Sequence, residues 1–196
     1  MKKIPTLFER DFSDDHTARA KPVVTPGLEW VLRGEGEATV KYDGACCAII
    51  NGEFYKRYDA KHGKPVPDGA IKCQENADPI TGHLPCWVKC DRKNPADKWF
   101  WAAYDNSTIS KSVNYRTYEA VGKHFQGNPY NYNSDFLIPH GSIKVNVINS
   151  NGERTFEEIK KYLSENYIEG IVFWKDGEPK CKIKRTDFGF LWNSRH

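Results

Sequence analysis

The sequence has no run of 18 apolar residues and no apolar stretch in Met1–Asp15, so neither a membrane-spanning helix nor a secretory signal is expected. A cytoplasmic protein without membrane contacts follows as the expectation. Internal repeats, low-complexity tracts and a dividing linker are also absent, which argues for one domain over residues 1–196. Strong charge of either sign is missing too. With 29 Lys and Arg against 26 Asp and Glu, the net charge of +3 permits a polyanionic partner without identifying one. Six cysteines without a secretory signal do not form a disulfide scaffold and are expected as free thiols. His83, Cys86 and Cys90 lack the further ligand that would complete a zinc tetrahedron. What remains is an ordinary globular balance, 39% hydrophobic and 13% aromatic, in a chain long enough to bury a core.

Local patterns place the elements. Residues 1–30 are polar and broken by Pro5, Pro22 and Pro26, which predicts an irregular N-terminal arm. Ala38–Val40, Ala45–Ile50 and Phe54–Tyr58 read as strands, with Asn51-Gly52 as a tight turn requiring positive φ at both positions. Residues 59–98 are rich in Pro, Gly, Lys and Asp and read as a surface excursion. Tyr115–Val121 reads as a strand, and Ser134–Val147 as a bent strand or two short ones. Thr155-Phe156-Glu157-Glu158 has the form of a capping box, followed by Phe156, Ile159 and Leu163 at helical spacing.

A second hairpin is expected from Ile168–Trp174 and Pro179–Lys184 around Asp176-Gly177. A two-residue loop there would set Glu169 opposite Lys184 and Ile171 opposite Lys182. Glu169, Lys182 and Lys184 would then share one face of the sheet, since side chains two apart point the same way. One acid and two cations at that density suggest a site, although an ordinary cross-strand ion pair has the same signature.

Lys41-Tyr42-Asp43-Gly44 has the form Lys-x-Asp-Gly, which on its own is a weak signal. Three fixed residues recur by chance in roughly one chain in twenty of this length. Further segments follow it in order: Arg57, Tyr118-Glu119-Ala120-Val121-Gly122, Glu169-Gly170-Ile171-Val172 and Lys182-Ile183-Lys184. Together these resemble the five motifs of the covalent nucleotidyltransferases, which include ATP-dependent ligases and messenger-RNA capping enzymes. Asp43-Gly44-Ala45-Cys46-Cys47, Gly82-His83-Leu84-Pro85-Cys86-Trp87, Gly127-Asn128-Pro129-Tyr130 and Ile138-Pro139-His140-Gly141 look more closely like the ATP-dependent 5′-to-3′ RNA ligases of the vertebrate type. The resemblance runs from about Leu28 to Trp192.

It implies an α+β nucleotidyltransferase domain, ATP-grasp-like, of antiparallel sheets flanked by helices. With few residues after the fifth motif, no OB-fold is expected. The activity implied is joining of an RNA 5′-phosphate to a 3′-hydroxyl through lysyl-AMP and adenylated RNA, with RNA repair as its broad setting. ATP is the cosubstrate, Mg2+ or Mn2+ the metal, RNA the partner, and a monomer the expected state. Lys41 would be the nucleophile, acting with Glu169, Lys182 and Lys184. Asp43, Gly44, Arg57, Glu119, His140, Lys182 and Lys184 would bind the nucleotide. Glu169, and secondarily Glu119, would hold the metal, though Glu119 is also a candidate for the ribose hydroxyls.

The chemistry asks for such residues. A lysine must be neutral to attack the α-phosphorus, which burial or neighbouring positive charge favours. Stabilising the phosphate charge calls for cations, and Mg2+ calls for hard oxygen ligands. His140, Tyr130 or Phe136 could stack on adenine. Trp87, Trp99 and Trp101 could stack on RNA bases, with core packing expected for at least two of the three. A capping-type guanylyltransferase and a nucleotide- or RNA-binding module that does not ligate are the competing readings.

Overall fold

The computed structural model describes residues 1–12, 18–61, 64–79, 81–109 and 114–192. In chain order the elements are β1 (Phe8–Phe12), β2 (Ala18–Val24), α1 (Glu29–Leu32), β3 (Glu37–Lys41), β4 (Ala45–Ile50), β5 (Glu53–Ala60), β6 (Ile71–Lys72) and β7 (Leu84–Lys89). They continue with α2 (Lys98–Asp105), β8 (Tyr115–Val121), β9 (Phe136–Pro139), α3 (Phe156–Glu165), β10 (Gly170–Lys175) and β11 (Glu178–Lys184). All strand pairs within the sheets are antiparallel and helices are few, so the class is α+β.

The chain forms two compact units. Among the described residues, one comprises Met1–Lys3 with Asp43–His140, and the other comprises Ile4–Tyr42 with residues 141–192. The boundary between Tyr42 and Asp43 falls inside the Lys41 motif.

The first unit is a six-stranded sheet in the order β6-β7-β5-β4-β8-β9. Alternation divides its faces cleanly. Cys47, Ile49, Phe54, Tyr118, Ala120 and Leu137 form an apolar core with Ala103 of α2. Cys46, Arg57, Thr117 and Glu119 alternate with these residues and belong to the opposite, polar face. The Asn51-Gly52 turn has positive φ at both positions, as the hairpin requires.

The 59–98 segment does not behave as surface alone. Leu84–Lys89 is an interior strand between β5 and β6, and Cys86 and Trp87 are buried. Its Pro and Gly content belongs to the flanking loops, and those residues masked the short apolar strand between them. Trp87 is buried and Trp101 packs edge-on against Phe54 at 5.2 Å, so two of the three tryptophans serve the core. Trp99 is partly exposed and stacks on His124.

The second unit is built on a three-stranded sheet, β11-β10-β3, and a β1-β2 ribbon. The arm expected to be irregular therefore contains two paired strands. Pro22 sits within β2, where a strand paired on one side tolerates its missing N–H. Residues 5–7 also cover the outer edge of β11, since Lys182 N donates to Pro5 O and Leu7 N donates to Lys182 O.

One sheet face carries Ala38, Ile171, Phe173, Cys181 and Ile183, all buried with Ile159 and Leu163 of α3. That helix begins where its N-cap sequence predicts: Glu158 N donates to Thr155 Oγ1, and Glu158 is close to the same hydroxyl through its carboxylate. Buried Arg154, which carries no sequence signal of its role, donates to the carbonyls of Val31, Glu35 and Gly36 and anchors the turn before β3.

The second hairpin departs from its expected register. Trp174 pairs with Pro179 and Lys175 with Glu178, as a two-residue turn requires, but an irregularity between Phe173 and Trp174 shifts everything beyond by one. Val172 therefore faces Lys182, and Gly170, rather than Glu169, faces Lys184. A bulge inserts one extra residue into one strand, and no turn signal announces it.

Gly170 is fixed by this approach of strands. A Cβ at that position would lie 2.2 Å from Ile183 O, against backbone that cannot move aside freely. Gly170→Ala is therefore expected to cost about 1–3 kcal/mol of stability, the usual range for overpacking. Denaturant unfolding of the variant checks this, and an unchanged midpoint would contradict the close approach.

Candidate active site

The polar face of the three-stranded sheet follows from the shifted register. Gly170 pairs with Lys184 on one side and Lys41 on the other, so the three residues form one row across β11, β10 and β3. Directly opposed residues share a face, and the absent side chain at Gly170 leaves room between the two lysines. Val172, Lys182 and Thr39 form the next row.

Glu169 closes the gap. Its carboxylate, in a residue only 4% exposed, accepts from Lys41 Nζ through Oε2 and lies 2.6 Å from Lys184 Nζ through Oε1. Its backbone is held as well, because Glu169 O accepts from Arg185 N. Lys184 is fixed from below by Asp187, whose buried carboxylate accepts from Lys184 N at 2.8 Å. Three of the four groups expected to cooperate, Lys41, Glu169 and Lys184, thus converge, although not by the pairing first inferred. Lys182 lies two residues from Lys184 on the same face.

The electrostatics of Glu169 are opposed. Burial alone would raise its carboxyl, but the charges of Lys41 and Lys184, with their hydrogen bonds, outweigh burial and hold it below the usual 4.5. It is therefore an anion in the folded protein.

Asp43 and Gly44 of the motif belong to the other unit. Asp43 N donates to Tyr130 Oη at 2.6 Å, and Gly44 O accepts from Gln126 Nε2 at 2.9 Å. A Cβ on Gly44 would lie 2.2 Å from Ala120 O, so the glycine of the motif is required by the β4–β8 approach itself. Tyr130, weighed as an adenine partner, holds the motif backbone through its hydroxyl. Phe136 packs edge-on against Tyr132 at 4.9 Å.

Within that same unit, Glu119 and Cys46 are direct cross-strand partners. His140 follows β9, with Nε2 2.8 Å from Glu119 Oε2 and Nδ1 2.9 Å from Thr117 Oγ1. Arg57 Nε donates to Asp59 Oδ1 at 2.9 Å. Burial, and then the neighbouring Glu119, push the Cys46 thiol up to about 12. The sequence names Glu119, His140 and Arg57 and offers Tyr130 as a candidate for stacking on adenine, but assigns no role to Cys46 or Thr117. Only strand register could have linked Cys46 to Glu119.

The two acids offer different donor sets. Each Glu169 oxygen already takes one ammonium, and a carboxylate retains further lone pairs for water or a hard cation, so Mg2+ is compatible there. Glu119 instead lies among a thiol and an imidazole, a set suited to softer metals.

No family model matches the chain. It is similar to a protein of the zebrafish Danio rerio named RNA ligase 1. The two are 25% identical over a 223-residue alignment that covers 79% of this chain and 68% of that protein. Among the described residues, no helix is long and apolar enough to cross a membrane.

Because the folded-state carboxyl of Glu169 is held below its unfolded value, it contributes stability above pH 4.5 that is lost as pH falls through the lower folded value. Acid unfolding followed by circular dichroism is therefore expected to flatten in Glu169→Gln below about pH 5. An acid profile identical to the parent would show that the triad makes no linked contribution.

Proposed function

We propose that this chain is an ATP-dependent RNA ligase that acts through a covalent adenylate on Lys41. The observation that carries the proposal is the Lys41–Glu169–Lys184 triad, formed within one unit across Gly170. The ordered motifs and the similarity to a protein named RNA ligase 1 support the choice of reaction. An RNA substrate is part of the proposal. The expected nucleotide roles of Arg57, Glu119 and His140 concern the other unit, and the proposal does not depend on them.

Lys41 Nζ would form a bond to the α-phosphorus of ATP as the bond to pyrophosphate breaks. The AMP would then pass to the RNA 5′-phosphate, and the 3′-hydroxyl would displace it to form the phosphodiester. All three steps are attacks at phosphorus, in which positioning and electrostatic stabilisation supply most of the catalysis.

Glu169 orients the amine through Oε2. The Lys41 ammonium must lose its proton to solvent before the amine attacks. Lys184 and Lys182 present two positive charges from one strand to the phosphate oxygens, where negative charge develops. Mg2+, held through Glu169, would add charge neutralisation at the polyphosphate.

Thr39 supports the geometry from the neighbouring row. It is buried, and its hydroxyl accepts from Trp174 Nε1 at 2.8 Å, which ties β3 to β10 two residues before the nucleophile. The lysine thus leaves from a held strand.

Incubation with α-labelled ATP and Mg2+ is expected to label the protein covalently, and Lys41→Ala to abolish the label. Lys184→Ala should slow adenylation by about 10²–10³, the usual effect of removing one stabilising donor. Label retained in Lys41→Ala would sink the proposal. Labelling by GTP rather than ATP would favour a capping-type enzyme. Adenylation without sealing of 5′-phosphorylated RNA would favour a module that does not ligate.

A further inference from the structure

The polar face of the six-stranded sheet carries a second constellation that the proposed chemistry does not explain. Cys46 of β4, Glu119 of β8 and His140 after β9 each present one ligand atom, and these atoms lie within 4.8 Å of one another. We propose that Cys46, Glu119 and His140 form a three-ligand site for a borderline divalent cation, Zn2+ in particular.

Three features support a built site. Cys46 and Glu119 occupy directly opposed positions of the β4–β8 ladder, so their side chains leave the same face as a consequence of register. His140 is held from behind, because Thr117 Oγ1 engages Nδ1 and His140 N donates to Thr117 O. This leaves Nε2 directed at the acid, and a partner that fixes the second ring nitrogen is the usual companion of a ligating imidazole. Finally, all three residues are of intermediate rather than full burial.

The donor types select the metal. A thiolate, an imidazole and a carboxylate suit Zn2+, which takes sulfur at about 2.3 Å and nitrogen at about 2.0–2.1 Å. Mg2+ takes oxygen ligands and gains nothing from sulfur. Three protein ligands leave the fourth tetrahedral position for water or an exogenous group, as in exchangeable rather than structural zinc sites.

Binding replaces the His140–Glu119 hydrogen bond by two metal bonds. The Cys46 S–H bond breaks, the sulfur keeps the electron pair for the metal, and the proton passes to solvent. Neither oxidant nor reductant is needed. Glu119 and His140 would then be withdrawn from any nucleotide role, a consequence that rests on the proposed function, whereas metal binding does not.

The test uses the full chain, reduced and stripped of metal, titrated with Co2+ as a spectroscopic substitute for Zn2+. The expected result is one saturable site with a thiolate-to-cobalt charge-transfer band, displaced by Zn2+. Cys46→Ser should remove the band, and Thr117→Ala should weaken binding about 10-fold or more, as loss of a supporting partner does. Absence of a saturable band would overturn the proposal. So would a band that survives Cys46→Ser and disappears in Cys86→Ser. Should Cys46→Ser fail to fold, nitrogen NMR of the parent chain decides: Zn2+ must shift the His140 Nε2 resonance, and an unmoved resonance overturns the site.

Discussion

The Glu169 carboxylate between Lys41 and Lys184 is the interaction on which the candidate active site depends. Neither lysine is deeply buried, at 22% and 39% side-chain exposure, so each could ion-pair loosely at little benefit. The acid is different. A carboxylate 4% exposed cannot rely on water, and losing one partner of a fully buried pair costs about 3–5 kcal/mol, an upper bound for partners as exposed as these. The two ammonium groups are therefore held by a buried anion that needs both. This contact also explains Gly170, since any side chain between Lys41 and Lys184 would collide with β11 and fill the space that the carboxylate bridges.

The same arrangement shows where sequence reasoning succeeds. The hairpins and strands were legible because alternation and tight turns are local signals: Asn51-Gly52 and Asp176-Gly177 both adopt positive φ, and β4 and β8 begin and end where their apolar pattern does, whereas Lys41, Glu169 and Lys184 were singled out chiefly by their motifs. Thr155 caps α3 because its hydroxyl sits beside an orphan amide three residues on. Register was less legible. A single irregularity between Phe173 and Trp174 moves Gly170 opposite Lys184, and bulges depend on how a strand must bend to meet its neighbours. The N-terminal ribbon and β7 escaped notice because prolines around them outweighed their short strand signals. Arg154 escaped for another reason: its three carbonyl acceptors come together only after the turn before β3 has formed.

The two glutamates first weighed together as metal ligands separate once their surroundings are compared. Glu169 meets two ammonium groups, which keep it ionised despite burial, and its remaining lone pairs are compatible with a hard cation. Glu119 meets an imidazole and a thiol whose proton is held by burial and by the acid itself. Identical side chains thus acquire different chemistry from their surroundings, the Lys41 and Lys184 ammonium groups for Glu169 and the cross-strand Cys46 with His140 for Glu119.

Cross-strand position is also what makes the polar faces functional candidates at all. In each sheet one face is committed to an apolar core, with Ile171, Phe173 and Ile183 under α3 and Cys47, Ile49 and Tyr118 under α2. Moving any of these strands by one residue would exchange core and polar sets, burying lysines and exposing isoleucines. The hydrophobic effect therefore fixes the register more strongly than the polar contacts could. The irregularity in the β10–β11 pair shows the order of priorities: Ile171 remains against Ile183 and Phe173 against Cys181, all buried, while the excess residue is taken up where the strands leave the core. Lys41, Gly170 and Lys184 stand in one row because the apolar residues behind them require it.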